Sequence, residues 1–127
     1  MRIASYLSAL VVFVGLDLVW IGWVANGFYR TEMGALLRDP PDWRFAVLLY
    51  ALYPACIVIL TVPPGPQSWL RAMLLGAVLG LCAYGTYNLT NQAVLRGWSV
   101  RLVLVDMAWG TALTALAAVA AQLVQNR

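Results

Sequence analysis

Four apolar stretches, each long enough to cross a membrane as a helix, follow one another along the chain with short polar segments between them. They cover about residues 3–26, 43–62, 69–95 and 100–124. A membrane-crossing helix needs ~20 such residues, because each residue adds only ~1.5 Å to its length. The pattern therefore predicts an all-α protein, a four-helix transmembrane bundle that forms a single integral membrane domain over residues 1–127.

The segments between these stretches predict short loops and defined helix starts. Loop one, about residues 27–42, ends in two prolines followed by Asp42, a good N-cap for the second span. Loop two, residues 63–67, precedes Ser68, which can cap the third span, and loop three, residues 96–99, is shorter still. Loops this short make the second, third and fourth spans antiparallel neighbours.

Smaller patterns refine this architecture. On the third span, Gly76, Gly80 and Tyr84 lie one helical turn apart, which predicts close packing on a neighbouring helix. A short interfacial helix is predicted in loop one, where four residues share one helical face: Tyr29, Met33, Leu36 and Leu37. Four tryptophans fall near the predicted membrane surfaces, as in an aromatic belt: Trp23, Trp43, Trp69 and Trp98.

The arginines suggest an orientation. The side of loops one and three carries Arg30, Arg38, Arg44, Arg96 and Arg101. The opposite side carries Arg2, Arg71 and Arg127. Because basic residues are enriched in cytoplasmic loops, this distribution predicts that loops one and three are cytoplasmic.

Composition narrows the possible chemistry. Hydrophobic residues make up 63% of the chain and charged residues 10%, against roughly 25% charged in soluble domains. The net charge of +3 is spread over the loops, so binding to nucleic acid is not expected. There is no histidine for a haem iron or a zinc ion. We therefore expect membrane lipids as surroundings, no metal site and no cofactor.

Two aspartates lie inside the apolar stretches, where an unpaired charge is costly. Asp17 in the first span and Asp106 in the fourth are each followed three residues later by a tryptophan, Trp20 and Trp109. The two spans run in opposite directions, so Asp17 should be level with Trp109, and Asp106 with Trp20.

The third span adds polar groups at the same depth. Its side chains at spacings of three and four residues share one helix face: Tyr84, Tyr87, Asn88 and Asn91. Tyr50 and Tyr53 enter the second span from the same side, and the other half of the bilayer is expected to be almost purely apolar. We call the residues at this depth the polar cluster: Asp17, Trp20, Tyr84, Tyr87, Asn88, Asn91, Asp106 and Trp109.

The polar cluster has two interpretations. It can be a hydrogen-bonded network that fixes helix register, in which asparagine and tyrosine side chains bridge the carboxylates. One of three arginines would then reach down to pair with an aspartate: Arg30, Arg96 or Arg101. Such hydrogen bonds contribute only ~0.6 kcal/mol each on average. Alternatively, it can be a pocket open to one side that binds a polar head group, a cation or a proton.

Several motifs resemble those of a family of small bacterial membrane proteins catalogued as domain of unknown function 2177. They are Asp17-x-x-Trp20, Phe28-Tyr29-Arg30, the run from Ala83 to Asn91, Arg96-Gly97-Trp98 and Asp106-Met107-Ala108-Trp109-Gly110. The resemblance implies a four-span fold and a bacterial inner (cytoplasmic) membrane location, with no established activity. Members usually have an aspartate where this chain has Asn88, so one carboxylate is replaced here by an amide.

Three functions remain open at this point. The first is a one-sided intramembrane pocket that binds or moves a small polar or lipid-head-group ligand. The second is an accessory structural subunit of a larger membrane complex, respiratory or photosynthetic, or a homo-oligomer. The third is a membrane enzyme acting on lipids, with Asp17 and Asp106 as acid and base, although no nucleophile accompanies them.

Overall fold

A computed structural model describes residues 3–127 of the protein. This part of the chain consists of helices joined by loops and contains no β-strand. Its α-helices are α1 (Ile3–Val19), α2 (Asn26–Met33), α3 (Trp43–Thr61), α4 (Trp69–Val94) and α5 (Val100–Gln125). A π-helical turn, Trp20–Val24, extends α1, and a 3-10 turn, Gly34–Leu36, follows α2.

Four helical segments are long and apolar enough to cross a membrane. They are Ile3–Val24, Trp43–Thr61, Trp69–Val94 and Val100–Gln125. Their ends differ from the predicted ends by at most two residues, which is the usual uncertainty of helix boundaries. The predicted four-helix bundle is therefore confirmed.

Side-chain caps set the starts of three spans. Asp42 accepts a hydrogen bond from the Arg44 backbone N–H at 3.1 Å, and Ser68 accepts one from that of Arg71 at 3.2 Å. Both caps were predicted. Ser99 caps α5 in the same way and also donates to Glu32 Oε1 at 2.7 Å. This second bond ties loop three to α2.

The closest helix pair is α4 against α5, and small residues account for it. A methyl group on Gly76 would lie 2.8 Å from Ala118 Cβ, and one on Gly80 would lie 2.9 Å from Thr114 Cβ. On the α5 side, a methyl group on Gly110 would enter the ring of Tyr84. The close packing predicted for Gly76 and Gly80 is therefore confirmed, and the ring of Tyr84 lies directly against Gly110.

The two halves of α3 are packed differently. Every residue from Trp43 to Tyr53 is exposed or half-buried, and buried residues of α3 begin at Pro54. α3 also packs far less against α4 than α5 does. Because proline has no N–H, the Tyr50 carbonyl lacks its normal helical donor. The first half of α3 is therefore joined to α1 and α5 through the Tyr50 and Tyr53 hydroxyls and not through fully buried residues.

Amide side chains close the opposite end of the bundle, next to loop two. Gln67 Nε2 donates to Gln122 Oε1 at 2.6 Å and to the Thr61 carbonyl oxygen at 3.0 Å. Gln122 donates to Asn126 Oδ1 at 2.8 Å, and Asn126 donates back to the Gln67 carbonyl oxygen at 2.9 Å. We call these three residues the amide clamp: Gln67, Gln122 and Asn126. The expectation that this half is almost purely apolar is corrected, since Gln122 is fully buried.

Candidate functional site

The π-helical turn after α1 allows the chain to bring α2 back onto the bundle. Within this turn, the Ala25 N–H donates to the Trp20 carbonyl oxygen at 2.7 Å, a wider ring than in an α-helix. α2 then begins at Asn26 and ends before Gly34, whose φ of 54° suits a residue without a Cβ. The short helix predicted in loop one is present, and its Tyr29 side chain is buried in the bundle.

Asp17 accepts hydrogen bonds from two neutral donors. Trp109 Nε1 donates to Asp17 Oδ1 at 3.0 Å, and Tyr50 Oη donates to Asp17 Oδ2 at 2.7 Å. The carboxylate of Asp17 is buried, with 6% of the residue exposed. The bond to Trp109 agrees with the expected level of the two residues.

Asp106 is held in a similar way. Tyr29 Oη donates to Asp106 Oδ1 at 2.8 Å, and Asn88 Nδ2 donates to Asp106 Oδ2 at 2.7 Å. Trp20 Nε1 donates to Tyr29 Oη at 3.2 Å. Trp20 therefore reaches Asp106 through the Tyr29 hydroxyl rather than directly.

The two Asp-x-x-Trp units meet at their tryptophans. The rings of Trp20 and Trp109 are stacked, with centroids 4.4 Å apart and planes 10° from parallel. Each indole N–H points its hydrogen bond toward the aspartate of the other helix, directly for Asp17 and through Tyr29 for Asp106. α1 and α5 are thus joined by two similar links. They differ because one tryptophan donates directly to the aspartate, whereas the other acts through the Tyr29 hydroxyl.

The arginine partners expected for the aspartates are bound elsewhere or exposed. Arg30 pairs with Asp39 at 3.1 Å and also bonds Asn26, while Arg96 and Arg101 are exposed. Within residues 3–127, no ion pair reaches either intramembrane aspartate. The guanidinium groups remain hydrated at the surface, where charged groups avoid the cost of desolvation.

A cavity of about 490 Å³ lies beside this network. Its polar and aromatic lining includes Asp17, Tyr29, Tyr84, Tyr87, Trp98 and Asp106. Leu49 and Tyr53 of α3 form part of the apolar remainder. The volume falls within the range of roughly 300–1,000 Å³ that is usual for small-molecule sites.

Comparison with known proteins identifies the family. A family model described as Predicted membrane protein (DUF2177) matches residues 2–123. The chain belongs to this family. No curated protein and no solved structure matches it. Membership confirms the resemblance seen in the motifs and brings no assigned activity with it.

In this DUF2177 protein, the members of the polar cluster occupy different positions around the cavity. Asp17, Asp106, Tyr84 and Tyr87 line it. Three other members do not line the cavity but support its carboxylates. Trp109 donates to Asp17 and Asn88 donates to Asp106. Trp20 stacks on Trp109 and donates to the tyrosine hydroxyl that bonds Asp106. Asn91 lies beside Tyr87 and away from the cavity lining.

Two buried polar atoms of this DUF2177 protein have no hydrogen-bond partner within residues 3–127: Trp98 Nε1 and Asn88 Oδ1. Asn88 is fully buried, and Trp98 is only 6% exposed. Trp98, which was expected near the membrane surface, packs its ring edge-on against Tyr87 and lines the cavity. A buried N–H without an acceptor is rare in folded proteins.

Sequence reasoning missed the roles of Tyr29 and Trp98, which lie outside the apolar stretches. Burial, and next the charge of Asp106, raises the pKa of the Tyr29 phenol above its usual range. The hydroxyl therefore remains protonated at neutral pH and keeps donating to Asp106. Within the described residues, no three His, Cys, Asp or Glu side chains come together as a metal site.

Proposed function

We propose that this protein binds or moves a small polar or lipid-head-group ligand in the cavity between Asp17 and Asp106. The observation that carries the proposal is that both carboxylates line one cavity and are held there by neutral donors alone. In the structural interpretation, an arginine would reach down to pair with one of the aspartates, and no arginine does so among the described residues. Both carboxylates are instead oriented without a cationic partner, which supports a ligand that would supply one.

The surrounding side chains suit such a role. Each carboxylate oxygen accepts one hydrogen bond from the protein and retains a further lone pair. Tyr84 and Tyr87 supply an aromatic wall. The carboxylates would provide charge, and the phenol and amide groups around them would orient the ligand.

The proposed setting is the bacterial cytoplasmic membrane, with loops one and three in the cytoplasm. The arginines of those loops support this orientation through the positive-inside rule. Arg30, Arg38 and Arg44 are engaged there with Asp39 and Asp42. Arg2, which counts toward the opposite side, lies outside the described residues.

Native mass spectrometry of the protein, gently extracted from its own membrane, tests the proposal. We expect a mass near 13.9 kDa or a small multiple, carrying a non-covalent adduct. Asp17→Asn and Asp106→Asn should lose the adduct, because the amide keeps the side-chain shape and removes the charge. Asp39→Asn, the same change at an exposed loop position, should retain it.

Two results would contradict the proposal. One is an adduct retained in full by both intramembrane variants. The other is a much larger assembly with further protein chains and no adduct that depends on either aspartate. The second result would favour the accessory-subunit function, with the aspartates acting as structural groups.

A further inference from the structure

We infer that the ligand is an amphiphile whose head group combines a protonated amine with a hydrogen-bond acceptor oxygen, and that it enters from the lipid between the first half of α3 and α4. This inference rests on the proposed function and specifies its ligand. Three observations carry it: two carboxylates without a cationic partner, one buried indole N–H without an acceptor, and a half of α3 that has no buried residue beside the cavity.

The two carboxylates favour a ligand with a positively charged group. Asp17 and Asp106 accept only from tryptophan, tyrosine and asparagine side chains, so neither has a cationic partner in the described part of the chain. Isolated charges at this depth are unfavourable. A protonated amine supplies both the positive charge and up to three N–H donors for the free lone pairs.

The indole N–H of Trp98 favours a hydrogen-bond acceptor in the same ligand. Its indole can only donate, it lines the same cavity as both aspartates, and its Nε1 has no partner among the described residues. An ammonium group cannot accept this bond. An oxygen atom beside the amine, as in a phosphate ester or an alcohol, can accept it.

The lining of the cavity favours a hydrocarbon chain attached to that head group. Leu49 of α3 and Tyr87 of α4 both line the cavity, and they are 56% and 51% exposed. No residue of α3 before Pro54 is buried. A chain lying between these two helices would contact apolar side chains, while the head group reached the carboxylates.

Three single-chain phospholipids with one common acyl chain test the head group. They carry phosphoethanolamine, phosphocholine or phosphoglycerol, and each is titrated into the unaltered protein in maltoside micelles and followed by native mass spectrometry. We expect one phosphoethanolamine lipid per chain, bound at least about tenfold more tightly than the phosphoglycerol lipid. The phosphocholine lipid, charged but without an N–H, should bind more weakly than the phosphoethanolamine lipid.

Equal or tighter binding of the phosphoglycerol lipid would overturn the amine. Equal binding of the phosphocholine lipid would overturn the hydrogen-bonded amine. Asp17→Asn and Asp106→Asn should each weaken phosphoethanolamine binding by about tenfold or more, and Asp39→Asn should not. The head-group series uses the unaltered chain, so it decides the matter even where a variant fails to fold.

Trp98→Phe tests the acceptor oxygen. It removes the N–H and keeps an aromatic ring against Tyr87. Phosphoethanolamine binding should weaken about fivefold, whereas binding of dodecylamine, which has no oxygen, should be unchanged. Equal losses for both ligands would show that the indole acts by packing and would overturn the assignment of its N–H.

The entry route is tested with a thiol on α3. In a background where Cys56 and Cys82, both exposed and free, are replaced by alanine, Leu49→Cys is alkylated with a bulky maleimide. Phosphoethanolamine binding should be lost there and retained after the same treatment of Val47→Cys, an exposed α3 position outside the cavity lining. Equal effects at both positions would overturn the route.

The outcomes separate the two proposals. If binding depends on Asp17 and Asp106 but prefers phosphoglycerol, the pocket stands and the amine assignment is wrong. If no lipid and no native adduct depends on either aspartate, the proposed function itself fails.

Discussion

Replacing Tyr29 with phenylalanine removes one hydroxyl group and two hydrogen bonds. The hydroxyl donates to Asp106 Oδ1 at 2.8 Å and accepts from Trp20 Nε1 at 3.2 Å. Tyr29 is only 8% exposed, and the phenylalanine ring fills the same space, so the substitution should leave no significant cavity. Its effect should therefore come from the lost bonds.

The size of that effect follows from the two partners. Side-chain hydrogen bonds within membranes contribute ~0.6 kcal/mol on average and at most ~1.7 kcal/mol. A bond to a charged group contributes about 1.5–3 kcal/mol in proteins generally. We expect Tyr29→Phe to lower the free energy of unfolding by about 1–3 kcal/mol.

The measurement is reversible unfolding in mild detergent titrated with dodecyl sulfate and followed by far-ultraviolet circular dichroism. Tyr6→Phe is the matched control, because the Tyr6 hydroxyl makes one bond, to the Ala51 carbonyl oxygen at 2.9 Å, at an exposed position. It should lose ~0.6 kcal/mol or less. A loss in Tyr29→Phe no larger than in Tyr6→Phe would refute the reasoning that this hydroxyl links α1 to α5.

Two further predictions concern packing and pH. Gly110→Ala should lower the free energy of unfolding by about 1–3 kcal/mol, because the new methyl group meets the Tyr84 ring. The control is Gly15→Ala, which has nothing within 4 Å of the new methyl group and should cause no loss. Equal losses of the two variants in the same detergent titration would contradict the close contact. The hydrogen bond from the Arg44 side chain holds the pKa of Asp42 below its usual range. The stabilisation it provides is therefore complete above the unfolded-state pKa of about 4 and is lost as the pH falls through the lower folded value. Thermal unfolding should be less sensitive to acid in Asp42→Asn than in the unaltered chain, and parallel curves would contradict this.

Features that depend on neighbours in the sequence could be predicted. The four spans follow from continuous apolar length, and the caps at Asp42 and Ser68 follow from residue type next to a helix start. The contact of Gly76 and Gly80 with α5 follows from spacing on one face. The level of Asp17 with Trp109 followed from counting residues along two antiparallel helices.

Features that depend on the path of a loop could not be predicted. Tyr29 and Trp98 lie outside the apolar stretches, and only the course of α2 and loop three brings Tyr29 to Asp106 and Trp98 into the cavity lining. Arg30 was one of the arginines expected to pair with an intramembrane aspartate. It pairs instead with Asp39 at the exposed surface, where an ion pair needs little desolvation. Gln122 shows the same limit, because its partner Gln67 is 55 residues away in the sequence.

The amide clamp has a mechanical consequence for any ligand that enters from the side of loops one and three. Together with the contact of Gly76 and Gly80 against α5, it gives the cavity a solid floor. Alternating access across the membrane would require this floor to part while the mouth closed. The first half of α3, beside the cavity, has no buried residue and is held to α1 and α5 by the Tyr50 and Tyr53 hydroxyls. A ligand that crossed the membrane completely would therefore require α4 and α5, the most tightly packed pair of helices, to separate.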